Sequence, residues 1–152
     1  MELILQQCLK DFPGVEHRLE KVIEKDGILW INDSKATNVD ACHVALEAMS
    51  RPTVLIVGGK DKGNDYSEIA SLVKEKCCAL VYMGVDNAKL HAAFDGLGLP
   101  VADTHSMKEC VEACRKMAKP GDVVLLSPCC ASFDLFKNME DRGEQFKALA
   151  KE

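Results

Sequence analysis

The spacing of apolar residues changes several times along the chain, and each change marks an element. Residues 2–10 carry a helical pattern, which Asp11-Phe12-Pro13-Gly14 interrupts, since Pro cannot continue a helix and Gly favours a turn. Polar and apolar positions then alternate through Leu19-Glu20-Lys21-Val22-Ile23-Glu24, and Ile28-Leu29-Trp30-Ile31 follows across Asp26-Gly27. This pattern predicts a β-hairpin turning on Asp-Gly. From about Asn38 to Met49 the apolar residues Val39, Cys42, Ala45, Leu46 and Met49 fall at helical spacing, and residues 53–57 form a continuous apolar run suited to a buried strand. Further helices are predicted near 65–76, 86–95 and 106–118, with strands near 79–83, near Val101 and at 122–126. A final helix is expected to start near Phe133 and to run almost to the end.

Repeated strand–helix–strand units with short connections predict an α/β, Rossmann-like domain of three layers: a mostly parallel sheet, helices on both faces, and the N-terminal hairpin at the sheet's edge. The 152 residues, 47% of them apolar, suffice for one core, so residues 1–152 are read as a single domain. There is no internal repeat, low-complexity stretch or linker. Ligands of such sheets gather at the carboxyl ends of the strands. That rule selects the loops after Ile31, Val57 and Leu126.

Composition narrows the function. A formal charge of -5 without a Lys/Arg cluster lacks the electrostatic footprint of a nucleic-acid binder. No apolar run is long enough to cross a bilayer, and the first residues lack the pattern of a signal peptide, so a cytoplasmic protein without membrane partners is expected. The eight cysteines lie within periodic core patterns and read as reduced thiols. None has the spacing of a zinc site, and His17, His43, His91 and His105 are scattered along the sequence, so no metal site is expected.

The first loop, Asn32-Asp33-Ser34-Lys35-Ala36-Thr37-Asn38, places a carboxylate, an ammonium and short polar donors at the start of a helix, where unpaired N–H groups attract anions. Thr37 or Asn38 can equally serve as a plain helix cap. The second, Gly58-Gly59-Lys60-Asp61-Lys62-Gly63-Asn64-Asp65, combines a tight Gly turn with two lysines; it lacks the G-x-x-x-x-G-K-[ST] order of a P-loop, and a solvated turn remains the alternative. The third, Ser127-Pro128-Cys129-Cys130-Ala131-Ser132-Phe133-Asp134, begins where Pro128 is expected to stop a strand and puts Ser132 at the predicted cap of the last helix. A nucleophilic Cys129 or Cys130 is disfavoured, because no His is recognisably placed as its base. Lys, Thr and Ser at one sheet edge favour a convergent carboxylate site over three independent caps.

These loops, with Glu16-His17-Arg18-Leu19-Glu20, Phe136-Lys137-Asn138 and Arg142-Gly143, resemble the last domain of the Mur ligases over almost the whole chain. The Asp-Ser-Lys-Ala-Thr-Asn and Ser-Pro-x-x-Ala-Ser-x-Asp-x-Phe-Lys-Asn forms resemble the D-glutamate-adding branch. The resemblance implies a domain that binds the incoming amino acid and closes over ATP held by a central domain, within a ligase that adds D-glutamate to UDP-N-acetylmuramoyl-L-alanine in peptidoglycan precursor synthesis. It implies contact with D-glutamate for Lys35, Thr37, Lys62 and Ser132, with Phe133 and Met139 in the same pocket and Lys35 close to the reacting groups. Met139 stands where the family often has Phe, which puts an aromatic contact in question. Arg18 and Asp33 are implied to touch the nucleotide. ATP and Mg2+ would be held mainly by the central domain, the N-terminal UDP-binding and central ATPase domains would lie outside this chain, the isolated domain would be inactive, and the enzyme would be a monomer. The alternatives are another Mur-type ligase, a non-catalytic small-acid or nucleotide binding module, and an interaction domain whose loops are only caps.

Overall fold

A computed structural model describes residues 16–60, 63–132 and 135–152. The helical pattern at residues 2–10 lies outside them. The elements follow the expected rhythm: β1 (Glu20–Lys25), β2 (Ile28–Asn32), α1 (Val39–Glu47), β3 (Thr53–Gly58), α2 (Ser67–Lys76), β4 (Cys77–Met83), α3 (Ala88–Phe94), β5 (Val101–Thr104), α4 (Met107–Met117), β6 (Val123–Cys129) and α5 (Met139–Ala150). One 3-10 turn, Asp95–Leu97, follows α3.

The six strands form one sheet in the order β1-β2-β6-β3-β4-β5. β1 pairs antiparallel with β2 and caps one edge, whereas the other pairings are parallel. The hairpin turns on Asp26 and Gly27, whose φ angles of 56° and 79° are the left-handed pair that an Asp-Gly turn supplies. Alternate residues of the buried strands serve opposite layers. Ile31, Leu55, Val57, Leu80, Tyr82 and Leu125 pack under α1, α2 and α3, while Trp30, Val54, Ile56, Val81, Val124 and Leu126 pack under α4 and α5. On that second face Trp30 meets Phe146, their ring centroids 5.9 Å apart. Among the described residues, no helix is long and apolar enough to cross a membrane.

Two boundaries differ from expectation. Pro128 does not stop its strand: β6 runs on to Cys129, where it pairs with Gly58. Between Ile56↔Leu126 and Gly58↔Cys129 the register shifts, so three β6 residues span two of β3. In this bulge a proline without an N–H costs no ladder bond. The last helix starts at Met139 rather than near Phe133, capped by Asn138, whose side chain accepts from the Asp141 amide. Ahead of it the Phe136 amide donates to the Ser132 carbonyl at 3.0 Å.

Central placement of β6 sets the geometry of function. β2 and β3 lead to helices on one face, whereas the chain leaving β6 reaches α5 on the other. The ends of β2, β6 and β3 therefore flank a switch in connection direction, where open α/β sheets form a crevice. Gly58 sits at its floor with φ of 133°, and a Cβ there would strike the Met83 carbonyl of β4. Gly58→Ala is expected to destabilise the fold by about 2–4 kcal/mol through steric conflict and forced left-handed backbone; a shift of the urea unfolding midpoint measures it.

Candidate functional site at the carboxyl ends of β2, β6 and β3

The three loops selected from the sequence meet over adjacent strands, and the contacts between them are specific. The Asp33 amide extends the β2–β6 ladder by donating to the Leu126 carbonyl at 2.8 Å, and the Ser127 hydroxyl donates to Asp33 Oδ2 at 3.0 Å. On the other side the Lys60 amide donates to the Ala131 carbonyl at 2.8 Å, and Asn64 Nδ2 donates to the Cys129 carbonyl at 2.8 Å. The third loop thus lies between the other two and is bonded to both.

A side chain to which the sequence assigned no role fastens the first and third loops together. Arg142 of α5 is fully buried; its Nε donates to Ser34 Oγ at 2.9 Å, Nη2 to the Ser34 carbonyl at 2.7 Å and Nη1 to the Cys130 carbonyl at 2.9 Å. Ser34 Oγ in turn donates a hydrogen bond to the Met139 carbonyl at 2.6 Å. One signal was available: Met139, Arg142, Gly143, Phe146 and Ala150 share a helical face, so the arginine falls on an apolar stripe. Gly143 is required beside it, because a Cβ would collide with the His17 ring.

Within the first loop, inward and outward residues are sharply divided. Asn32, Asp33 and Ser34 are buried, whereas Lys35 and Thr37 are exposed. Asn32 is spent on structure: its Nδ2 donates to Glu20 Oε1 at 3.0 Å and to His17 Nδ1 at 2.9 Å, and its Oδ1 accepts from the Ser34 amide at 3.2 Å. Asn38, not Thr37, caps α1 by accepting from the Ala41 amide at 2.8 Å. Thr37 therefore keeps its hydroxyl outside that cap. Of the other candidates, Arg18 is exposed, Met139 is half-buried and Ser132 is buried. Lys62 and Phe133 lie outside the described residues. A cavity of about 290 Å³ opens beside the second loop, lined by Gly59, Lys60, Tyr66, Asp86, Lys89 and Cys130 among others. None of the described candidate residues is among those that line it.

The thiols fit a structural role. None of the seven described cysteines forms a disulfide. Cys129 is held well above the usual thiol range by its hydrogen bond with Cys42 and by burial, which suppresses the thiolate that nucleophilic attack requires. The histidines, in contrast, each meet a carboxylate once the chain folds. His17 Nε2 comes within 3.4 Å of Glu16 and 3.6 Å of Glu144, a grouping with the dimensions of a metal site. Its position is already filled by a cation: Lys147 Nζ lies 3.4 Å from Glu16, 3.2 Å from Glu144 and 3.3 Å from Glu20. His17 Nδ1 accepts from Asn32, so the neutral ring carries its hydrogen on Nε2 and offers no lone pair to an ion.

Asp33 carries the main electrostatic strain. Burial pushes its carboxyl up to about 6, against the opposing effects of the Leu19 amide, the Ser127 hydroxyl and the Arg18 charge. Its folded value exceeds the unfolded one, so the folded state binds more protons between about pH 4 and pH 6 and loses stability as pH rises through that window. Asp33→Asn keeps the shape without the buried charge. Between about pH 4 and pH 7 the wild type is expected to lose on the order of 2–3 kcal/mol relative to this variant, as read from urea unfolding at each pH; parallel curves would contradict the assignment.

Comparison with known proteins agrees with this geometry. The family model described as "Mur ligase, glutamate ligase domain" matches residues 17–130. The chain is 64% identical over 149 residues to the UDP-N-acetylmuramoylalanine–D-glutamate ligase of Bacteroides thetaiotaomicron, covering 97% of this chain and 34% of that protein. It is 54% identical over 143 residues to the ligase of the same name from Porphyromonas gingivalis, covering 94% of this chain and 32% of the relative. It therefore spans about a third of the length of the curated relatives it matches. Among solved structures, the MurF ligase of Thermotoga maritima in complex with ADP superposes with a TM-score of 0.62 at 15% identity, over 91% of this chain and 31% of that one, a likeness of fold. With its matched segment spanning β1 to β6, the chain belongs to the Mur ligase family, as a glutamate ligase domain.

Proposed function

We propose that this chain is the amino-acid-binding domain of a ligase that joins D-glutamate to UDP-N-acetylmuramoyl-L-alanine at the expense of ATP. The observation that carries the reading is the convergence of three polar loops on the adjacent strands β2, β6 and β3, with Lys35 and Thr37 directed outward and Ser132 seated in the central loop. The name shared by the most similar curated relatives supports the choice of substrate.

Glutamate presents two carboxylates and one amine. Lys35 and Lys62 supply cations, Thr37 and Ser132 supply hydroxyls, and the backbone at Phe133 and the side chain of Met139 complete the wall. Such donors pin the anions and leave the amine, deprotonated, to attack. Arg18 and Asp33 lie toward the nucleotide: the exposed guanidinium suits a phosphate, while Asp33, its oxygens accepting from the Leu19 amide and the Ser127 hydroxyl, supports that side of the site from beneath. This donor set fits ATP, which supplies the phosphoryl group that activates the carboxylate of the UDP-sugar substrate, with Mg2+ neutralising the transferring charge. Mg2+ would be held mainly by residues of a central domain. The UDP-binding and ATPase domains belong to the same polypeptide, the complete enzyme is a cytoplasmic monomer, and this domain alone does not catalyse ligation.

In the complete protein, Thr37→Ala and Lys62→Ala are each expected to raise the KM for D-glutamate by at least about tenfold, while the KM for UDP-N-acetylmuramoyl-L-alanine changes by less than about twofold. Steady-state kinetics with each substrate varied in turn reads both. Equal changes in the two constants would remove these residues from the glutamate pocket.

A further inference from the structure

The segment that leads into β1 holds Arg18 between two strained residues. His17 and Leu19 have φ angles of 66° and 46°, in the left-handed region, which residues other than Gly keep only where their surroundings determine it. Hydrogen bonds supply that restraint. The His17 amide donates to Glu20 Oε1 at 3.1 Å, the Leu19 amide to Asp33 Oδ1 at 3.1 Å, and the His17 carbonyl accepts from the Lys35 amide at 2.9 Å. Side chains alternate as a result: His17 is buried, Arg18 is exposed, and Leu19 is half-buried against the core. The imidazole anchors the turn. It lies against Gly143, and its Nδ1 accepts from Asn32 Nδ2 at 2.9 Å. Asn32 Nδ2 also donates to Glu20 Oε1 at 3.0 Å, the same oxygen that accepts from the His17 amide, so the three residues close a ring of hydrogen bonds. At the far side of the imidazole, Nε2 is buried without a hydrogen-bond partner among the described residues. The orientation of the ring is therefore set at Nδ1.

We propose that His17 is a positioning residue whose buried ring, held at Nδ1, fixes Arg18 and Lys35 together and so sets the nucleotide site against the amino-acid site. Arg18 follows it in the chain, and the Lys35 amide is bonded to its carbonyl. The inference rests on the roles given above to Arg18 and Lys35. Loss of the acceptor at Nδ1 opens the ring of hydrogen bonds and leaves the left-handed turn without its anchor. Arg18 and the backbone at Lys35 are then released at once, and both have to be ordered again when their ligands bind, which lowers the affinity for each.

Steady-state kinetics of the complete protein tests this. His17→Ala is expected to raise the KM for ATP and the KM for D-glutamate by at least about fivefold each, while that for UDP-N-acetylmuramoyl-L-alanine changes by less than about twofold. His17→Asn should bring both constants back to within about twofold of wild type, because its Oδ1 takes the place of Nδ1 and asparagine tolerates a left-handed φ. His17→Phe keeps a ring and lacks the acceptor, so it should not restore them. A role in packing alone gives the reverse order, with Phe the better substitute, and that order would overturn the proposal; the comparison decides even where the alanine variant does not fold. The effect on ATP should pass through Arg18, so that in an Arg18→Ala background His17→Ala raises the KM for ATP by less than about twofold further. Additive effects of the two changes, or wild-type constants in His17→Ala, would overturn the inference and leave the ligase reading intact. An unchanged KM for ATP in Arg18→Ala alone would remove the nucleotide role of Arg18, and this inference with it.

Discussion

The buried guanidinium of Arg142 is the constraint on which the arrangement of the site rests. It bonds two carbonyls and a hydroxyl drawn from two loops that are separated by most of the chain. Hydrogen bonds to a charged group stabilise more than neutral ones, by about 1.5–3 kcal/mol each, but the larger effect is the cost of leaving buried acceptors unmatched. Once the arginine is placed, the Ser34 and Cys130 carbonyls depend on it, and so does the spacing between the loops that carry them. Its position also dictates neighbours in sequence. Gly143 has to be small where the His17 ring passes, and Asn138 has to start α5 late enough for Arg142 to face inward one turn later.

A second constraint operates at β6. The strand has neighbours on both sides, β2 and β3, and its end is bent by a bulge that contains Pro128 and places Cys129 at a φ of 65°. A left-handed conformation is unfavourable for cysteine and persists only where the surroundings determine it. Here Asn64 bonds the Cys129 carbonyl from the second loop, and Arg142 bonds the next carbonyl from α5. The bend directs the chain away from the face of α1 and α2 toward that of α5. The direction switch that forms the crevice is therefore built into the same three residues that end the strand.

Most of the layer order was legible in the sequence because apolar periodicity is a local signal. The Asp26-Gly27 hairpin, the continuous buried run in β3 and the helical stripe of α1 each follow from a few neighbouring residues. Where two local rules competed, the reading failed. Ser132 and Asn138 are both good caps, and the choice between them was made by Arg142 at long range. Pro128 usually ends a strand, yet a bulge removes the need for its missing N–H. The pairing of histidines with distant carboxylates was invisible for a related reason: His17 meets Glu144, and His91 meets Asp103, only through tertiary structure. Of the site, the three loops could be chosen from residue type and sheet topology. Which residues of a loop point inward could not, since that depends on the partners waiting beneath.

That division has a chemical consequence. Asn32, Asp33 and Ser34 commit their side chains to His17, Glu20, Leu19, Ser127, Met139 and Arg142, so they form a fixed floor. Lys35 and Thr37, which follow in the same loop, stand on that floor with exposed side chains. A ligand pinned by such groups meets donors whose backbone is already ordered, so less conformational entropy is lost on binding than if the loop had to fold around it. The exposed lysine side chain still pays rotamer entropy, and water still competes for it. A surface that is rigid below and solvated above gains most when a second body covers it and removes the water, because charge-assisted bonds strengthen as the local dielectric falls. Burial of Asp33 within the floor shows what removal of water costs a carboxylate, and the neighbouring Arg18 offsets part of the cost.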